Sequence, residues 1–315
     1  MVRAIGPGVD AAWSPDGASV LLATLDNACV PDLSTISVET RQRAPVTAAL
    51  RAGDHYFTWS PDGSQVAFVR YEHGMLARDC GSQGGMYTAE EMVSDIVIMA
   101  ADGQGQRVVV HGAWPRSLAW SPDGAQLAFL TGLPPLANGV TEHQMVDVRT
   151  GALTTLDHIH GGPVSWSPDG RSLAFPATTG TATNIGLART DRTGLRTLYG
   201  TKGRATGTFA WSPDGSTIAA FTYRRDAAGG MISGPLLLLD VATGAVRDLG
   251  VEDGNAFQPL AWSPDGRWIA FVREVTGGPP GPLTLVEVTS GVRRSIEGTS
   301  TPTGWPEWFA WQPGT

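Results

Sequence analysis

The sequence predicts an all-β chain built as a β-propeller of four-stranded antiparallel blades, and three observations carry that prediction. The phrase Trp-Ser-Pro-Asp-Gly stands whole at Trp13–Gly17, Trp59–Gly63, Trp120–Gly124, Trp166–Gly170, Trp211–Gly215 and Trp262–Gly266, with a worn copy, Trp311-Gln-Pro-Gly, near the C-terminus. Successive Trp positions lie 46, 61, 46, 45, 51 and 49 residues apart, a period that marks a repeat architecture. Around every copy the same succession of short alternating strands and Gly-bearing hairpins returns.

Each element of the repeat follows from its residues. A short apolar stretch ends in the Trp, as in Ser117-Leu-Ala-Trp120, and forms the first strand. Ser-Pro-Asp-Gly then turns the chain: Pro presets φ, Asp caps backbone amides and Gly takes a positive φ. The six Asp of the phrase (Asp16, Asp62, Asp123, Asp169, Asp214 and Asp265) are therefore read as turn caps beside a Trp packed between blades, not as calcium ligands. An alternating second strand follows, such as Gln65-Val-Ala-Phe-Val69, then a loop of variable length. A third strand, for example Leu236-Leu-Leu-Leu-Asp240, leads through a tight hairpin (Ala242-Thr-Gly-Ala, Arg189-Thr-Asp-Arg-Thr-Gly or Ala101-Asp-Gly-Gln-Gly) to a fourth, such as Val246-Arg-Asp-Leu249.

Six repeats own all four strands. Val2-Arg-Ala-Ile5 reads as an extra fourth strand and Trp308-Phe-Ala-Trp311 as an extra first one. The expectation is a single domain over residues 1–315, six-bladed, with a seven-bladed ring as the alternative. The phrase and its spacing resemble the TolB-like β-propeller family along essentially the entire chain. That resemblance implies the fold and leaves the activity open, because the family includes binding modules, gating domains fused to peptidases, and lyases.

Composition narrows the function classes. The chain has 22 Lys and Arg against 30 Asp and Glu, a formal charge of −8. That balance speaks against nucleic acid and against an anionic membrane surface. The N-terminus has no apolar core of a signal peptide and no long apolar run occurs, so membrane insertion is not expected. The chain as given is read as cytoplasmic. An extracytoplasmic place is expected if it is a trimmed domain in which Cys29 and Cys80 form a disulfide. No Gly-x-Ser-x-Gly elbow, phosphate-cradling Gly-Lys-Thr loop, His-Glu-x-x-His or Cys-x-x-Cys occurs.

The unusual residues fall on one side. In a propeller the second-to-third-strand loops and the interblade loops open on one face, and the phrase turns and short hairpins on the other. His55, His111, His158 and His160 fall in or beside interblade loops, while His73 and His143 fall in, or at the end of, second-to-third-strand loops. Asp54, Arg78, Asp79, Arg116, Glu142 and Asp157 share those loops, with Tyr56, Phe57 and Trp114. Glu252, Asp253, Phe257 and Trp305 lie elsewhere on that face. Convergent polar and aromatic groups at such a mouth mark a ligand site.

Two functions are expected from it. The first is a binding module for a peptide, a protein segment or a small polar ligand, with Tyr56, Trp114, Arg116, His143, His158, Phe257 and Trp305 in contact. The alternative is a lyase, hydrolase or epimerase using His55, His111 and His160 as catalytic residues. The same three would be ligands if the cofactor is a divalent metal, since imidazoles with a nearby carboxylate suit Zn, Mn or Ni. The longest insertion, residues 70–93 of blade two, reads as a lid or partner-contact loop, with Thr88-Ala-Glu-Glu91 fitting a capping box.

Overall fold

The computed structural model describes residues 10–25, 30–46, 48–52, 54–71, 93–113, 115–132, 141–156, 164–179, 182–191, 193–199, 205–225, 231–252, 260–272 and 283–295. Among these residues the chain forms six four-stranded antiparallel sheets and no helix. The first sheet holds β1 (Asp10–Trp13), β2 (Ser19–Leu25), β3 (Pro31–Ser37) and β4 (Arg43–Pro45); the second holds β5 (His55–Trp59), β6 (Gln65–Tyr71), β7 (Ser94–Ala100) and β8 (Arg107–Ala113). The third holds β9 (Pro115–Trp120), β10 (Gln126–Gly132), β11 (Thr141–Asp147) and β12 (Leu153–Leu156); the fourth holds β13 (Ser165–Trp166), β14 (Ser172–Thr179), β15 (Ala182–Arg189) and β16 (Arg196–Tyr199). The fifth holds β17 (Ala205–Trp211), β18 (Thr217–Arg225), β19 (Met231–Asp240) and β20 (Val246–Asp248); the sixth holds β21 (Leu260–Trp262), β22 (Trp268–Val272), β23 (Leu283–Glu287) and β24 (Arg293–Ser295). Within each sheet the spatial order is the chain order, as successive hairpins require. The chain divides into two compact units, the first three sheets in one and the last three in the other.

The repeated phrase is a hydrogen-bonded device. In all six copies the Ser hydroxyl donates to the Asp Oδ1 at 2.6 Å. The same Oδ1 accepts the backbone N–H two residues on at 3.0 Å. The Ser oxygen accepts the N–H that opens the second strand at 2.8–2.9 Å. The closing Gly holds φ between 67° and 71°, a region open to Gly at no steric cost. These bonds, the Ser hydroxyl first, hold the Asp carboxyls below their ordinary value, because each favours the charged form. The turn-cap reading of the six Asp stands.

Alternation along the strands buries both faces of the inner strands. In the first unit, Val66 and Phe68 of β6 join Leu21, Ala23 and Leu33 in one cluster. Ala67, between them, joins Ile96, Trp120 and Leu127 in another. In the second unit, Ile218 and Ala220 pack with Trp211 and Leu187, and Ala219 and Phe221 pack with Ile269 and Phe271. In three copies the Trp of the phrase ties its sheet to the preceding one. Trp120 Nε1 donates to Thr58 O at 3.3 Å, Trp211 to Ser165 O at 3.2 Å and Trp262 to Ala210 O at 3.0 Å.

Candidate functional site

The antiparallel order of the second sheet brings the starts of β5 and β7 and the ends of β6 and β8 to one edge. Register confirms it: His55 pairs with Val69, Arg70 with Asp95, Tyr71 with Ser94, and Ser94 with Ala113. Asp54, His55, Tyr56, Arg70, Tyr71, Asp95 and His111 therefore share an edge, at the root of the insertion that leaves β6 and returns at β7.

The edge is anchored by a buried ion pair. Arg70 Nη2 lies 2.7 Å from Asp54 Oδ2, with side-chain exposures of 9% and 0%. Arg70 Nε also donates to Asp54 Oδ1 at 3.0 Å, and its Nη2 donates to Ala49 O at 3.1 Å. Asp54 in turn accepts the Arg51 N–H at 2.9 Å. Such a bidentate, charge-assisted arrangement fixes direction as well as distance, so the segment entering β5 is pinned to β6.

Beyond the anchor, β5 departs from regular pairing. Its register shifts between His55 and Thr58, the mark of a β-bulge, and Tyr56 sits at φ 57°. The left-handed region costs an L-residue roughly 1–2 kcal/mol, and strain of this kind clusters at functional sites. The extra residue leaves Phe57 in the core, stacked on Phe68 at 5.3 Å, while Tyr56 is 39% exposed. The His55 ring lies 4.5 Å from that of Tyr56, tilted by 50°, and 5.1 Å from that of Tyr71, nearly parallel to it at 16°.

A second arrangement sits on the outermost strand. Register shifts between Ser94 and Ile96 and again between Ile96 and Val97, and Gly112 takes φ 66°. His111 and Gly112 are thereby both brought against Asp95: Gly112 N donates to Asp95 Oδ1 at 3.2 Å, and His111 Nδ1 lies 3.4 Å from the same oxygen. The Asp95 side chain is 12% exposed and that of His111 is 77% exposed.

The expected His residues do not all converge. His55 is on the innermost strand and His111 on the outermost, three strand spacings or about 14 Å apart. His55 shares its row with Val69, Ile96 and Val110, whereas Asp95 alternates to the other side of the sheet. One metal ion is therefore not shared by His55 and His111. Among the described residues no group of three His, Cys, Asp or Glu stands close enough to hold an ion. His143, expected at a loop end, is instead the third residue of β11, paired with Leu130 and Leu156 and fully buried. Arg116 lies in β9. Trp114, His158, His160, Phe257 and Trp305 lie outside the described residues, as do Cys29, Cys80, His73 and residues 72–92 of the insertion.

Sequence reasoning missed Asp95. An isolated Gly inside a strand pattern signals a bulge, so Val-Val-Val-His-Gly over residues 108–112 carried a hint of it; the Tyr56 bulge, lacking Gly, carried none. A cavity of about 700 Å³ lies at the opposite edge of the fifth and sixth sheets, lined by Asp214, Asp240, Arg247, Trp262 and Asp265. Its three carboxylates are taken up by turn bonds, so it reads as a groove between turns.

A family model described as the TolB beta propeller domain matches residues 86–278. No curated protein matches the chain. Among solved structures, TolB from Acinetobacter baumannii is 18% identical with a TM-score of 0.61, covering 95% of this chain and 68% of that one. An oligogalacturonate lyase in complex with manganese is 15% identical with a TM-score of 0.67, covering 90% and 75%. A puromycin-hydrolysing peptidase from Mycobacterium tuberculosis is 20% identical with a TM-score of 0.67; the match covers 92% of this chain and 45% of the peptidase. At these identities the likeness shows the fold, a six-bladed β-propeller.

Proposed function

The chain belongs to the TolB beta propeller domain family, and from that premise we propose that it is a binding propeller whose ligand edge is the bulged end of blade two. The ligand is a peptide, a protein segment or a small polar molecule. One observation carries the reading: Tyr56 is held outward in a strained conformation, with its ring against His55, which stacks on Tyr71. A rigid aromatic side chain presents contact area at small entropic cost, and the Asp54–Arg70 pair holds its backbone in place. The residues expected elsewhere at the mouth (Trp114, Arg116, His158, Phe257 and Trp305) extend this surface in the proposal.

A linear-peptide phage library panned on the protein tests the reading. Replacing Tyr56 by Gly removes the ring and the left-handed strain together, so Y56G is expected to stay folded, the relieved strain offsetting the flexibility that Gly adds to the unfolded chain. Clones enriched on the wild type are expected to bind Y56G at least tenfold more weakly. Equal binding to both proteins, or no enriched clones, overturns the proposal.

The second reading, an enzyme of the lyase, hydrolase or epimerase type, is favoured by the Asp95–His111 pair. A carboxylate beside Nδ1 orients an imidazole whose other nitrogen can take a proton. The likeness to an oligogalacturonate lyase in complex with manganese supplies a first substrate and a first metal to try. Unsaturated product formed by the wild type and not by H111A would put this reading ahead.

A further inference from the structure

We propose that Asp95 and His111 form a two-residue site for a divalent cation of the zinc class on the outermost strand of blade two. The inference does not rest on the ligand edge at Tyr56, which lies on the innermost strand.

The distance between the two groups comes first. His111 Nδ1 and Asp95 Oδ1 are 3.4 Å apart, longer than the 2.7–3.2 Å of an ordinary N–H···O hydrogen bond. Two ligand atoms on a tetrahedral ion, with metal–nitrogen distances of about 2.0–2.1 Å and metal–oxygen distances of about 2.0–2.2 Å, stand roughly 3.3–3.5 Å from each other. The pair has the spacing of one edge of such a coordination shell.

The backbone supplies the second argument. In a regular ladder only one residue of β8 would stand opposite Asp95. The register shift between Ser94 and Ile96 and the positive φ of Gly112 bring two there, the imidazole of His111 and the amide of Gly112. The Gly112 N–H fixes the carboxylate, as a second-sphere donor does in built metal sites. Both ligands stand on strands of one sheet, which holds them better than loops would.

Charge and access agree. A carboxylate with a neutral imidazole suits a borderline ion. Arg70, the register partner of Asp95, has its guanidinium engaged by Asp54, so its charge does not oppose a cation. The imidazole is 77% exposed, which leaves room for the waters that would complete the shell.

The test uses the full chain, stripped by chelator and dialysed, with Zn2+ as the probe in isothermal titration calorimetry. One saturable site per chain is expected. H111A, at an exposed position that leaves the fold intact, should abolish it. D95N, which removes the charge of one of the two ligands, should weaken it at least about tenfold, no less than the loss of a second-sphere partner does. Melting temperatures without zinc, equal for wild type and H111A, exclude misfolding as the cause. Absence of a saturable site overturns the proposal, as does zinc binding that survives H111A. An affinity that falls in H55A as far as in H111A would move the ion to the innermost strand and overturn it equally.

Discussion

At the residue scale the Trp positions of the repeat are not equivalent. Trp120, Trp211 and Trp262 each donate to a carbonyl of the preceding sheet, whereas the buried Trp59 Nε1 has no partner among the described residues. A satisfied bond contributes about 0.5–1.5 kcal/mol, and a buried donor left alone costs about 1–3 kcal/mol. Replacing Trp59 by Phe deletes an unsatisfied group; replacing Trp120 by Phe deletes a satisfied one. Urea unfolding should therefore show W59F at least about 1 kcal/mol more stable than W120F. Equal losses would mean that Trp59 finds a partner in solution. Tyr56, at φ 57°, also breaks a local rule, and its left-handed backbone, unlike that of the turn glycines, has no sequence mark.

At the element scale, strand pairing sets what each position tolerates. Gly186 of β15 stands opposite Phe175 of β14, and a Cβ placed there would lie 2.4 Å from Phe175 Cε2. Phe175 is itself 1% exposed, so its ring has nowhere to retreat. Overpacking of this kind costs about 1–3 kcal/mol, and G186A should lose that much in denaturant unfolding without gaining exposed apolar surface. An unchanged midpoint would mean that β14 and β15 slide to make room. The strands themselves were legible: the alternation in Gln65–Val69 became β6, and Leu236–Asp240 became the end of β19. Bulges were less so, because the extra residue in one strand is defined by its partner strand and not by its own sequence.

At the scale of the whole molecule, the six turn caps act together in acid. Each Asp of the phrase has its pKa lowered from 3.8, first by the Ser hydroxyl. A depressed folded value adds stability that is complete above the unfolded value and is lost as pH falls through the folded one. The urea midpoint should thus hold steady from neutrality to about pH 5 and fall below about pH 4. S121A, which removes the chief cause at Asp123, should make that fall shallower; an identical slope would assign the acid response to other carboxylates. By itself the sequence determined the content of each blade, because the Ser-Pro-Asp-Gly turn and the two-residue alternation of strands are local and repeat with the phrase; six rather than seven blades was decided by the strand pairing. It also placed His55 and His111 at the same edge of blade two. Only the tertiary structure decided that these two stand on opposite outer strands of one sheet, that His143 is sealed in β11, that Tyr56 turns outward and that Asp95 meets His111. Each of those depends on ladder register between strands joined by loops of any length, which residue spacing along the chain does not encode.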